Sequence, residues 1–352
     1  MQEGKVPTAG ATVWVQTADG ALIAKVMTDA SGSVTADGVV PGSAVTVLAG
    51  ARLRTILDVQ PDDDLLVVTP PDGPGTQVPV TVRASTQDAV YRYLVTASCG
   101  GAELEDTSTG TLYVNGCTTA DVLVDVQDDN YTSLEFAYAP AQNVSAALDL
   151  TALAYTPTAL TSYSITGAPA EWHDVHLYRN LSNAKGPLGE CDSFGADLRC
   201  PVVPGATVVD RVTAYDDTVW HESYFPTTSA GTSIALAGLP IGTIPDAPTL
   251  DLATSTVHWT GGAGANSALI EISEGDGTWQ IYGPAPADGT FAFPRLPAEL
   301  ESFTPAAAVH VMLLNVVGGY VKVRQRVFST DTQGLTALTG GRVITAGYEG
   351  GF

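Results

Sequence analysis

The segment Glu171-Trp172-His173-Asp174-Val175-His176 gathers two imidazoles, two carboxylates and an indole within six residues, the densest set of potential ligands in the chain. Zinc and copper take neutral imidazole nitrogens and carboxylate oxygens, so the residue types suit a metal. The spacing does not. On a regular strand, residues three apart face opposite sides, which separates His173 from His176 and leaves His176 beside Asp174 alone. Two ligands do not close a structural zinc site. The expectation is a solvated strand entry without a transition metal.

Loop carboxylates suit calcium, which takes about six to eight oxygens. Asp62-Asp63-Asp64 precedes Leu65 at an expected domain edge, Asp128-Asp129-Asn130 follows an expected strand, and Asp216-Asp217 follows Tyr215. None matches the D-x-[DN]-x-[DN]-G pattern of an EF-hand loop. Asp62, Asp63, Asp64, Asp128, Asp129, Asp216 and Asp217 therefore stand as candidate calcium ligands, against a reading as solvated turns. No other cofactor is expected.

Aromatic side chains concentrate at Trp172, Tyr178, Trp220 and Tyr224. Rings on an open sheet face stack on the apolar faces of sugars, whereas buried rings fill a core. These four are the candidate ligand-binding residues. Catalysis has less support. The chain contains no G-x-S-x-G elbow, H-E-x-x-H helix, P-loop or G-x-G-x-x-G turn between strand and helix. Of its five histidines, His258 and His310 sit in strand-like runs beside Trp259 and Val309, where packing accounts for them. No catalytic residue is assigned, and the expectation is a protein that is not an enzyme.

Strands must position all of these groups. Val, Thr, Ala, Gly and Pro dominate, a mixture that favours pleated strands and tight turns. No window sustains apolar residues at i, i+3, i+4 and i+7 over three turns, and the nearest helical candidate, Ser145 to Ala154, stops before Pro157. The fold class expected is all-β: tandem antiparallel β-sandwich domains of the Ig-like or transthyretin-like kind. A chain of 352 residues exceeds one sandwich, and composition breaks it into modules at 1–70, 76–153, 154–242 and 243–352. The sharpest breaks are Thr69-Pro-Pro-Asp-Gly-Pro-Gly75 and Gly238 to Pro248, where proline cannot continue a central strand. In the second module Val122, Val124 and Val126 alternate with Asp121, Asp125 and Asp129, the pattern of a half-buried strand with an acidic outer face.

In the first module, Gly10-Ala-Thr-Val-Trp-Val, Thr28-Asp-Ala-Ser-Gly and Val40-Pro-Gly-Ser-Ala-Val-Thr-Val resemble the carboxypeptidase regulatory-like (transthyretin-like) seven-stranded sandwich. That resemblance implies an accessory domain of secreted and surface proteins without catalytic residues. In the last module, proline, a strand ending in Trp259, a Gly-rich turn and Leu269-Ile-Glu-Ile272 resemble a fibronectin type III domain. That family shares architecture and not a site, so no binding loop follows.

Thirty-eight acidic against 15 basic residues give a net charge of −23. Such a surface repels nucleic acid and anionic lipid. The longest apolar run, Val309 to Val317, is too short to span a bilayer as a helix, and no transmembrane segment is expected. Low lysine with high Ala, Gly and Asp resembles bacterial usage. Met1 to Pro7 is polar and no apolar h-region follows, so export implies a leader removed before this sequence begins.

The four cysteines fall into two local pairs without C-x-x-C spacing, which argues for disulfides and an oxidising compartment over a metal knot. Together these features describe a secreted or cell-surface structural or adhesive protein. Its partners would be protein or glycan, with self-association through edge strands. The alternatives are a carbohydrate- or ligand-binding protein and, behind it, a secreted hydrolase. Non-reducing peptide mapping is expected to yield two crosslinked species, Cys99–Cys117 and Cys191–Cys200, each bridge contributing about 2–3 kcal/mol. A peptide joining Cys99 to Cys191 or Cys200 would contradict the pairing.

Overall fold

The computed structural model describes residues 8–49, 52–67, 75–97, 99–105, 107–114, 117–130, 132–166, 173–181, 187–190, 192–194, 197–202, 208–216, 219–227, 233–235, 244, 246–274, 277–297, 299–300, 308–316, 318–327 and 343–348. The first quarter supplies β1 (Thr12–Gln16), β2 (Leu22–Met27), β3 (Ser43–Ala49), β4 (Arg52–Val59) and the short β5 (Leu66–Val67). An Asp19-Gly20 turn closes the β1–β2 hairpin, with Gly20 at φ +91°, a conformation that glycine reaches without a Cβ penalty.

Residues 76–157 give β6 (Thr76–Val82), β7 (Arg92–Ala97), β8 (Gly100–Glu105), β9 (Thr109–Val114), β10 (Thr119–Gln127), β11 (Ser133–Asn143), β12 (Leu148–Leu150) and β13 (Thr156–Pro157). The third stretch forms β14 (Ala159–Thr166), β15 (His173–Leu181), β16 (Pro187–Glu190), β17 (Asp192–Phe194), β18 (Asp197–Val202), β19 (Val208–Asp216), β20 (Val219–Thr227) and β21 (Ser233–Ala235). The last quarter forms β22 (Thr249–Asp251), β23 (Thr256–His258), β24 (Ser267–Glu274), β25 (Gly277–Pro284), β26 (Thr290–Ala292), β27 (Ala308–Val316), the helix α1 (Tyr320–Gln325), β28 (Arg326–Val327) and β29 (Val343–Tyr348). The fold is all-β. Among the described residues no helix is long and apolar enough to cross a membrane.

Strands from three separated parts of the chain meet in one twelve-stranded sheet, ordered β16-β15-β19-β20-β29-β27-β24-β25-β4-β3-β1-β2. Within it, four strands from the β2 end, is a parallel pair in which Arg52 to Ile56 of β4 lie opposite Thr278 to Tyr282 of β25. Both faces of this region are buried. On one face Trp14, Leu53, Trp279, Ile281, Ile270 and Leu313 pack under the small β22-β23-β26 sheet with its Val257, Trp259, Phe291 and Phe293. On the other, Val13, Val47, Ile56, Leu269 and Leu314 pack with Tyr320 and Val323 of α1. Near-continuous apolar runs such as Ala268 to Ile272 are what a strand covered on both sides requires. Strands β1 to β4 and strands β24, β25, β27 and β29, which composition assigns to separate sandwiches, thus share one sheet, and described residues of the two stretches share two cores.

Residues 76–157 form their own eight-stranded sheet, ordered β12-β6-β9-β8-β7-β10-β11-β13. Val80 of β6, Val95 of β7, Leu112 of β9, Val124 of β10 and Leu150 of β12 reach a single core, so the sheet curls around its own apolar face. The disulfide Cys99–Cys117, Cα atoms 6.2 Å apart, ties the entry of β8 to the segment before β10.

The outer face of β10 departs from the alternation seen in sequence. Asp125 is only 2% exposed, and Leu123, Gln127 and Phe136 are buried with it. That face is covered and not acidic surface. Asp121 does lie nearer solvent, where its carboxylate accepts from the Tyr138 hydroxyl and from Ala141 N, each at 2.8 Å. Asp129 is exposed. At Asp125 the carboxylate accepts from Gln127 Nε2 at 2.6 Å and from Ser133 Oγ, while Arg92 Nε donates to Gln127 Oε1 at 2.7 Å. Burial still outweighs these bonds and pushes the Asp125 carboxyl up to about 6.

A carboxyl raised in the folded state favours folding while it is protonated. Its contribution is complete below pH 3.8, the ordinary value, and is lost as pH rises through about 6. Asp125→Asn should remove that slope from a urea-unfolding series between these limits. At neutral pH it should raise stability by about 2–3 kcal/mol. An unchanged slope in the variant would contradict the assignment.

Candidate binding face

Backbone register brings three of the aromatic candidates together. Tyr178 of β15 lies opposite Arg211 of β19, which lies opposite Tyr224 of β20. Two residues along, His176 stands opposite Thr213 and Thr213 opposite Glu222. Two further on, His173 stands opposite Tyr215 and Tyr215 opposite Trp220. Directly paired residues share a face, and so do alternate residues along a strand. Tyr178, Tyr224 and Trp220 therefore occupy one face of β15-β19-β20, together with Arg211, Tyr215 and Glu222. Trp172 lies outside the described residues.

The same register corrects the expectation for the histidines. Three residues separate His173 from His176, but only two separate their partners Tyr215 and Thr213, because β15 carries a bulge between them. The extra residue reverses the parity, and His173 and His176 occupy the same face.

The acidic loops diverge. Asp63 is committed to the protein: Arg324 Nη2 donates to its Oδ1 at 3.1 Å, and Arg324 Nε lies 2.7 Å from its Oδ2 as a charge contact. The same guanidinium donates to the carbonyl of Asp58 at 2.7 Å and to its Oδ2 at 3.2 Å. Asp58 sits at the bulge where β3 and β4 slip, with φ +52°, so Arg324 holds the residue whose backbone is least comfortable. Asp62 and Asp64 remain exposed. Asp128 Oδ1 accepts from the N–H groups of Asn130 and Thr132, each at 2.9 Å, and fixes its own turn. Asp129 Oδ1 accepts from Asn130 Nδ2 at 3.0 Å. Asp216 ends β19 opposite Val219, and Asp217 lies outside the described residues. Among the described residues no group of three or more His, Cys, Asp or Glu side chains is placed to hold a metal ion.

Cys191 also lies outside the described residues, and with it the second bridge; next to the pair, Asp192 stands opposite Arg199 in the β17–β18 hairpin. Trp14 and Trp259 are buried in the core, as their apolar neighbours imply. A cleft of about 380 Å³ opens beside the β4 bulge, lined by Leu57, Asp58, Pro284, Phe291 and Pro294. Its apolar wall offers few groups that would orient a ligand.

Arg324 escaped sequence reasoning, since nothing local links a helix residue to an aspartate 261 positions earlier. No family model, curated protein or solved structure matches this chain.

Replacing Asp63 by Asn leaves the buried Arg324 guanidinium with only the more exposed Asp58 carboxylate as charge partner and should cost up to about 3–5 kcal/mol in chemical denaturation. A loss below about 1 kcal/mol, the range of exposed ion pairs, would show that the pair is not buried in solution.

Proposed function

We propose that this chain is a non-catalytic adhesive protein of the cell surface or extracellular space, binding glycan through the β15-β19-β20 face. The observation that carries this reading is the set of three cross-strand rows, His173–Tyr215–Trp220, His176–Thr213–Glu222 and Tyr178–Arg211–Tyr224. Aromatic residues with an arginine and a glutamate on one sheet face combine stacking platforms with hydrogen-bonding groups, the chemistry that sugar rings call for. The Cys99–Cys117 disulfide supports an oxidising compartment. The acidic surplus supports a partner other than nucleic acid.

A second reading, self-association, is favoured by β2. Among the described residues it ends the twelve-stranded sheet and leaves Leu22 56% and Met27 61% exposed, the kind of edge that suits strand addition.

Binding of the purified chain to a glycan array, compared with Trp220→Ala and Tyr224→Ala, tests the main reading. Each substitution should weaken the strongest interaction about five- to tenfold while leaving thermal unfolding intact. An array without signal, or binding that neither substitution alters, would reject it.

A further inference from the structure

Arg54 presents a problem the fold does not solve by itself. It lies on β4, an interior strand of the twelve-stranded sheet between β25 and β3, and is 1% exposed. Its Nε, Nη1 and Nη2 atoms are all buried, and none has a hydrogen-bond partner. Guanidinium keeps its charge under all ordinary conditions and carries five N–H donors. A buried ion without acceptors costs several kcal/mol, an appreciable part of the stability of a whole domain.

The polar neighbours on the same face are engaged with one another. Gln280 stands directly opposite Arg54, but its Oε1 accepts from the Tyr282 hydroxyl at 3.3 Å and its Nε2 donates to Glu271 Oε2 at 2.8 Å. Beyond Gln280 the row continues through Glu271 to His310 of β27. Arg52 shares the face two residues away, beside Thr278. Arg52 and Glu271 both act electrostatically on Arg54, with opposite sign. Gln280 and Tyr282 are buried, whereas Arg52, Thr278, Glu271 and His310 are only half-buried. The row therefore grades from solvent inward to Arg54.

We propose that Arg54 is the anchor of a binding site for a small carboxylate, approached across the same face from the half-buried pair Arg52 and Thr278. A planar carboxylate matches the guanidinium fork with two parallel hydrogen bonds and supplies the missing negative charge. Arg52 adds long-range attraction, and the apolar residues Val47 and Ile56 on the same face exclude competing water.

The thermal midpoint of the full chain at equal ionic strength in acetate, phosphate or chloride tests this, for wild type, Arg54→Met and Glu271→Gln. Acetate at about 0.1 M should raise the wild-type midpoint by about 2–4 °C over chloride. Arg54→Met removes the orphan charge at similar volume, so its midpoint in chloride should equal or exceed wild type and show no acetate response. Glu271→Gln should keep that response. No wild-type response, an equal response in Arg54→Met, or a response to phosphate alone would each overturn the proposal. So would a fall of several degrees shared by Arg54→Met and Glu271→Gln, which would make those two residues an internal ion pair.

Discussion

The parallel pairing of β4 with β25 is the constraint on which the rest of the twelve-stranded sheet depends. Five residue pairs join strands far apart in sequence; Trp279 Nε1 donates to Thr55 Oγ1 at 2.9 Å across 224 positions. Closing so long a loop costs about 5 kcal/mol of chain entropy. The offset lies in what the pairing buries. Leu53, Ile56 and Ile281 are fully enclosed, and Trp279 meets the edge of Phe293 at 5.2 Å between centroids. Without that seam, each half of the sheet would expose an apolar edge, and both covering layers would lose one side of their core.

Charge is distributed to suit this arrangement. Among the described residues, Lys25 and Arg324 act as clamps between distant segments. Lys25 pairs with Glu299 at 2.6 Å and lies over the Trp14 ring. The same carboxylate accepts from the Trp14 indole, which fastens the segment around Leu300 to β1 and β2. Arg324 plays the corresponding part on the opposite face, holding the β4 bulge and the following turn to α1. Arg54 is the exception, a basic residue in the seam itself without an acceptor.

Local patterns were legible in the sequence; their assembly was not. Period-two alternation and turn chemistry locate β1 and β2, near-continuous apolar runs locate β24 and β27, and cysteine spacing points to the Cys99–Cys117 bridge, because each depends on residues close in sequence. The union of residues 1–70 with 243–352 depends on which strand edges meet, and edges carry backbone groups that look alike in every strand. One inserted residue in β15 was enough to place His173 and His176 on the same face. Asp125 reads as an outward-facing acid by alternation alone, since a single strand does not record whether a second layer covers it. Three of the four aromatic candidates were found from composition, but Arg211 and Glu222 join them only through register.

Native-state hydrogen exchange at the seam tests the account most directly. The amides of β4 and β25, with those of their neighbours β3 and β24, should exchange through one cooperative opening with a common free energy and a common denaturant dependence. Amides of β1 to β4 exchanging as an independent unit, at a free energy well below that of β24 and β25, would contradict the joining of the two ends of the chain into a single sheet.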